Sequence, residues 1–191
     1  MPEAVWEQTE GLALEGEVVA VSADSKHRFS KMPRLSINLT ASFGIEGDAH
    51  SGPFVRHRYL ARRHPRAPNL RQVHLIPNEL FSTLRTAGFE VHAGDLGENI
   101  TTLGLELERL PLGTVLRLGV SAALKLTGLR TPCVLIDRFE AGLKTRLVGA
   151  SGGPRFKAGV MAIVLTGGMI APGDSIQAIV PSPPFADLPP L

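Results

Sequence analysis

The order in this chain is carried by apolar segments of four to six residues, cut apart by glycine and proline, and that pattern builds strands rather than helices. Glu17–Val21 reads as a first strand entered from Gly16, and Val73–Ile76 as another, with apolar side chains either side of His74. Thr114–Leu118 and Ala122–Thr127 flank Gly119-Val120-Ser121 and form a hairpin. Val160–Leu165 and Ser175–Val180 read as a second such pair, with turn signals at Gly167-Gly168 and Pro172-Gly173-Asp174. Only two helices interrupt the series. Asn78–Ala87 places Leu80, Leu84 and Ala87 on one face and meets Gly88 as its stop. Ile136–Val148 pairs Leu143 with Leu147 across an internal Gly142. Short strands at close spacing with so few helices favour a mainly β fold, a closed or half-closed barrel, over a βαβ sheet.

The domain runs from about 16 to 180. Residues 1–15 lack a clear period and read as a loose lead-in. The tail 181–191, PSPPFADLPPL, holds five prolines and is expected to lie extended at the periphery.

Length and composition bound the rest. A chain of 191 residues, 43% of them hydrophobic, buries one good core. With aromatics at 5%, that core rests on Leu, Val, Ile and Ala. A lone cysteine excludes an intrachain disulfide. The N-terminal stretch has neither a basic n-region nor an apolar h-region, and no run approaches a membrane span, so a cytoplasmic protein is expected. The net charge of +2 is unevenly placed, with six arginines and no acid between Arg56 and Arg71. Such a run meets phosphate or is a solvated loop. Nucleic acid is not the expected partner, because only Tyr59 is there to stack on bases and no recognised module is present. A hydrolase is weaker still, since the nucleophile elbow is missing.

Four places carry candidate chemistry. Cys133 closes Arg130-Thr131-Pro132-Cys133, where Pro132 ends a strand. A helix beginning there, together with the charge of Arg130, favours a thiolate suited to a soft metal or to persulfide chemistry. A buried free cysteine acting as a small apolar side chain is the competing reading. The loop 43–52 shapes Asp48 and His50 between glycines, as a site or as a solvated turn. The loop 94–102 sets Glu98, Asn99 and Thr101 at the entrance to a strand, where a barrel mouth collects ligands, and the Asn99 amide suits a heterocycle edge. Arg155 and Lys157 lie in a third, glycine-flanked loop that could take a phosphate but matches no nucleotide motif.

In order, Gly47-Asp48-Ala49-His50-Ser51-Gly52, Arg71-Gln72-Val73-His74-Leu75-Ile76, Gly94-Asp95-Leu96-Gly97-Glu98-Asn99-Ile100-Thr101, Leu110-Pro111-Leu112-Gly113, Arg130-Thr131-Pro132-Cys133 and the stretch from Gly159 to Ile176 resemble the MOSC domain, named for the C-terminal part of molybdenum cofactor sulfurases. The resemblance implies a β-barrel that binds the pterin form of molybdenum cofactor, with Cys133 as metal ligand or sulfur carrier. It implies catalytic roles for Cys133, Asp48, His50 and Asn99, and cofactor contacts from Arg71, Glu98, Asn99, Thr101, Arg130, Arg155 and Lys157. Reductases of the family act on N-hydroxylated small molecules with electrons from a redox partner. A sulfur carrier would instead be served by a cysteine desulfurase, since no pyridoxal-phosphate domain is expected here. The basic insertion between Gly52 and Arg71 departs from the family pattern.

Overall fold

The computed structural model describes residues 14–56, 58–149 and 152–191. Its strands are β1 (Leu14–Ala23), β2 (Met32–Arg34), β3 (Ile37–Thr40), β4 (Gly44–Ile45), β5 (Val73–Pro77), β6 (Ile100–Leu103), β7 (Val115–Leu118), β8 (Ala122–Leu129), β9 (Val160–Thr166), β10 (Gly168–Ile170) and β11 (Ser175–Ile179). Seven of them close a barrel in the order β1-β6-β5-β9-β8-β7-β11, and β11 returns to β1. The seam pairs Leu14 with Ala178 and Glu17 with Ser175. Further along, β1 passes to β2 instead, with Val21 opposite Arg34. A small second sheet runs β10-β3-β4. The fold is the mainly β barrel that the strand pattern predicts.

Period-two alternation fills the barrel. Along β8, Ala122, Leu124 and Leu126 are buried while Lys125 is exposed, and along β11 Ile176 and Ala178 alternate with exposed neighbours. These side chains join Val73, Leu75, Ile100, Leu116 and Val160 in one apolar interior. Strand β5 is buried over its whole length. Its other face is covered because Ile76 packs with Leu80, Phe81 and Leu84 of α2 (Asn78–Thr86), and with Ile136, Leu143 and Leu147. Helix α2 also makes the crossover to β6, which pairs with β5 in parallel. A short α1 (Arg58–Arg63) lies in the basic insertion.

Three expectations need correction. Val160–Leu165 and Ser175–Val180 do not pair with each other. Strand β9 lies between β8 and β5, β11 lies between β7 and β1, and β10 takes the intervening chain out to the second sheet. The helix expected over Ile136–Val148 is two, α3 (Val134–Phe139) and α4 (Leu143–Arg146). Gly142 sits between them at φ 83°, a left-handed conformation no helix continues through. The proline-rich tail is extended but is not peripheral. Leu188 is buried in the barrel core, and the Leu129 amide donates to the Pro189 carbonyl while the Leu191 amide donates to that of Leu129. Of the expected lead-in, Leu14 and Glu15 already belong to β1, and residues 1–13 lie outside the described residues.

Candidate active site around Cys133

The strand β8 ends at Leu129 and delivers the loop Arg130-Thr131-Pro132 to Cys133, which is the N-cap residue of α3. Cys133 is half-buried and lines a cavity of about 170 Å3. The Arg130 guanidinium lines the same cavity and interacts electrostatically with its sulfur. Since α3 has only six residues, the positive charge at the thiol comes from this guanidinium rather than from a helix macrodipole.

The lining is strongly one-signed. Arg28, Lys31, Arg56, Arg71 and Arg130 contribute to it along with His50 and His74, and among the described residues no carboxylate does. Burial, and then the proximity of Arg130, lowers the Arg71 guanidinium below its ordinary range, so two arginines face one another without an acid between them. Burial likewise lowers Arg130, against the opposing pull of Cys133. Its Nη1 is buried with no hydrogen-bond partner. A buried, unpartnered guanidinium nitrogen beside a second arginine is an anion site in waiting.

Beside this cavity lies a packed ion-pair network. Asp48 accepts from Lys31 Nζ at 2.5 Å, from Asn99 Nδ2 at 3.1 Å, and from the His50 amide at 2.9 Å. Burial pushes the Asp48 carboxyl up, but hydrogen bonding from His50 and the charge of Lys31 outweigh it and hold the group well below the usual carboxylate range. The same burial lowers Lys31, overriding its attraction to Asp48. His50, Lys31 and Asn99 all reach the cavity from this network, the His50 ring with Nδ1 3.4 Å from Asp48 Oδ1 and edge-on to His27. His74 is neutral because burial, then Arg130, drives its pKa well down, and its Nε2 donates to the Ala158 carbonyl at 2.8 Å.

The residues singled out in the sequence separate here. Cys133, Arg130, Arg71, His50 and Asn99 meet at the cavity, and Asp48 stands directly behind His50. Asn99 does not present its amide to a heterocycle edge. Both donors are engaged, by Asp48 and by the Ser22 carbonyl, and its Oδ1 accepts from the His74 amide. It ties β1, β5 and the 47–52 loop together. Glu98 and Thr101 are fully buried and off the cavity lining. Glu98 accepts from the Gly94 amide at 2.5 Å and holds the turn closed, while burial raises its carboxyl to about 7. Arg155 and Lys157 are exposed and also off the lining, with Arg155 over the Phe156 ring at 5.3 Å.

Arg28, Lys31 and Asn69 line the cavity without any local sequence signal, and Arg56 comes from the arginine run and His74 from strand β5. Lys31 was traceable only as a buried cation needing an acid, and its acid lies 17 positions away. His74 had a weak mark, a lone histidine in an otherwise apolar strand whose alternate side chains face the barrel interior.

Solved structures of similar fold include the YuaD protein from Bacillus subtilis, with a TM-score of 0.73 and 21% identity over 90% of this chain and 99% of that one. YiiM from Geobacillus stearothermophilus aligns with a TM-score of 0.64 and 18% identity, over 90% of this chain and 79% of that one. YiiM from Escherichia coli gives 0.59 and 17%, over 89% and 73%. At these identities the likeness establishes the barrel alone. No curated protein sequence matches. The family model of the MOSC domain matches residues 47–177, a span that runs from the Asp48 loop through Cys133 to β11, and the chain therefore belongs to the MOSC domain family.

Proposed function

We propose that this protein binds molybdenum cofactor with Cys133 as the protein ligand to the metal, and that it reduces N-hydroxylated compounds. The observation that carries this reading is the half-buried Cys133 sharing a cavity with Arg71 and Arg130, lined by cations and, among the described residues, by no carboxylate. The fit is specific in two ways. No group of three or more His, Cys, Asp or Glu able to hold a metal occurs among the described residues, so one thiolate suits a metal whose remaining ligands come with an organic cofactor. The unpartnered Arg130 Nη1 beside Arg71 suits the cofactor's phosphate.

When bound, the cofactor would supply two-electron redox chemistry that cleaves the N–O bond. The chain's own side chains do the rest. Cys133 anchors, Arg71 and Arg130 take the anionic end, and His50 exchanges protons at the cavity wall, its backbone fixed by the amide it donates to Asp48. Reduction of a hydroxylamino group consumes two electrons and two protons and releases an amine and water. The electrons require a redox partner. A half-buried thiol beside a guanidinium also suits a second reading, in which Cys133 carries sulfur as a persulfide or the barrel delivers cofactor.

Molybdenum content per chain, measured after purification from a host that makes the cofactor, tests the proposal. Near-stoichiometric metal in the wild type and little in Cys133→Ser is the expected result, with reduction of N-hydroxylated substrates abolished in the variant. Equal metal and activity in both proteins would overturn it. A reductant-labile gain of one sulfur mass on Cys133 after incubation with a cysteine desulfurase, with no metal, would establish the carrier instead.

A further inference from the structure

Strand β8 changes partners along its length. From Ala122 to Lys125 one of its edges is covered by β7, with Leu118 opposite Ala122 and Val115 opposite Lys125. The last bonds on that edge are the Leu126 amide donating to the Thr114 carbonyl at 2.9 Å and the Gly113 amide donating to that of Leu126 at 3.2 Å. Beyond Leu126 the tail takes the place of β7. The Leu129 amide donates to the Pro189 carbonyl at 2.8 Å, the Leu191 amide to the Leu129 carbonyl at 2.9 Å, and the Thr131 amide to the Leu191 carbonyl at 3.1 Å. Pro190 thus lies parallel beside Leu129. The opposite edge stays on β9, where the Arg130 amide donates to the Gly159 carbonyl at 3.0 Å. Glu108 Oε1 in turn accepts from the Gly159 amide at 3.1 Å.

Arg130 is therefore clamped from two sides. Its own amide faces β9 and its two neighbours face the tail, as backbone groups alternate along a strand. Past Thr131 the clamp ends. Pro132 has no N–H to donate, and the Cys133 carbonyl accepts from the Ile136 amide within the helix that Cys133 caps. Among the described residues neither makes a backbone hydrogen bond to another element, so the last such hold ahead of the Cys133 sulfur is the Thr131 amide on the tail. The tail is anchored by Leu188, its one buried side chain, and by the Ala186 carbonyl, which accepts from the Leu112 amide at 2.8 Å. A segment with so little buried apolar surface opens at a far lower cost than a barrel strand.

We infer that residues 186–191 are a positioning strap for the site: they hold the Arg130 guanidinium and the Cys133 sulfur in register with Arg71, and displacing them loosens this arrangement while the barrel stays folded. Leu188 and Leu191 are positioning residues that act through Leu129 and Thr131. The inference rests on Cys133 being the functional group, as proposed above, but not on whether it carries metal or sulfur.

Cys133 is the one cysteine of the chain, so alkylation of the full-length protein reads the site directly. Its rates with iodoacetate, an anion, and with neutral iodoacetamide are compared. Arg56, Arg71 and Arg130 attract the anion, so the ratio of the two rates should exceed that of N-acetylcysteine amide by about tenfold. Gly128→Ala displaces the strap from outside and Leu188→Ala weakens its anchor, and each should lower the ratio about threefold or more, toward that of the small thiol. Leu188→Met refills the anchor and should restore it. A role in stability alone would lower Tm and leave the ratio where it was. A ratio unchanged in folded Gly128→Ala and Leu188→Ala would overturn the inference, as would a wild-type ratio no higher than that of the small thiol. Loss of the folded barrel in both variants would overturn it too, because the strap would then be inseparable from the fold. Molybdenum content of the wild type and Cys133→Ser keeps the two claims apart. Metal that depends on Cys133 together with an unchanged ratio sinks the strap alone. A strap-dependent ratio in a protein that takes up no molybdenum sinks the cofactor reading and leaves the strap standing.

Discussion

Lys31 and Asp48 are both buried, and the free energy of such a pair lies less in its formation than in the cost of breaking it. Asp48→Ala would strand the Lys31 ammonium without its partner and leave the Asn99 and His50 donors unsatisfied. A loss of about 3–5 kcal/mol in urea unfolding is expected, and the double replacement Lys31→Met with Asp48→Leu should recover much of it. A single variant no worse than an ordinary surface change would show the network to be unimportant. Glu98 makes a prediction of opposite character. Burial raises its carboxyl to about 7 in the folded protein, against 4.5 for the free side chain. The folded state therefore holds a proton that the unfolded chain has released, and this contribution is fully present below about pH 4.5. Stability falls as pH rises through 7, by on the order of 3 kcal/mol for this one group. Unfolding free energies from pH 4.5 to 8 should show that decline in the wild type and a shallower one in Glu98→Gln.

At the scale of elements, the tail is the least expected part of the molecule. It packs beside the end of β8, exchanging backbone hydrogen bonds with Leu129 and Thr131 immediately ahead of Cys133. Contact is close enough that a Cβ on Gly128 would lie 2.5 Å from the Pro189 carbonyl oxygen and 2.6 Å from a Leu191 side-chain atom. Gly128→Ala should push the strap away, expose Leu188, and cost about 1–3 kcal/mol. Faster amide exchange at Leu129, Thr131 and Leu191 would show that the strap, and not the barrel, had loosened. Proline content made the tail look detached because it rules out a regular ladder. It does not rule out isolated backbone bonds on an open strand end. The strands themselves were legible, since a half-buried sheet imposes period two on the sequence and ends each run at a turn. Their partners were less so. Gly167 and Pro172-Gly173 mark reversals, but a reversal does not say which strand comes next in a closed barrel, and β10 had too few residues to declare itself. The same limit governed the site. Arg130-Thr131-Pro132-Cys133 and the Asp48 loop carried local marks, whereas Arg28, Lys31 and His74 reach Cys133 only through closure of the fold. Arg155 and Lys157 had the local marks of a phosphate loop without the tertiary placement.

Over the whole molecule, charge is spent unevenly. Five cations line the Cys133 cavity, but Lys31 is paired with Asp48 and Arg28 with Asp24, which leaves Arg56, Arg71 and Arg130 to draw anions to the opening. Concentrating like charge has a cost, because Arg71 and Arg130 repel each other while no ligand lies between them. The cavity is thus a region where binding and stability pull in opposite directions, as they do at sites selected for function. Arg71→Gln separates the two. Removing one of the facing guanidiniums relieves the repulsion and should stabilise the ligand-free protein by about 1 kcal/mol, a rise of roughly 2–4 °C in Tm for a chain of this size. The same variant should bind inorganic pyrophosphate, a simple phosphate probe, about tenfold more weakly at low ionic strength, with a shallower dependence on salt. Added pyrophosphate would then raise Tm more in the wild type than in the variant, since only ligand bound to the folded state shifts unfolding. If Arg71→Gln lowered Tm and left pyrophosphate affinity intact, Arg71 would be part of the scaffold, and the phosphate would have to be held by Arg130 and Arg56 across the same opening.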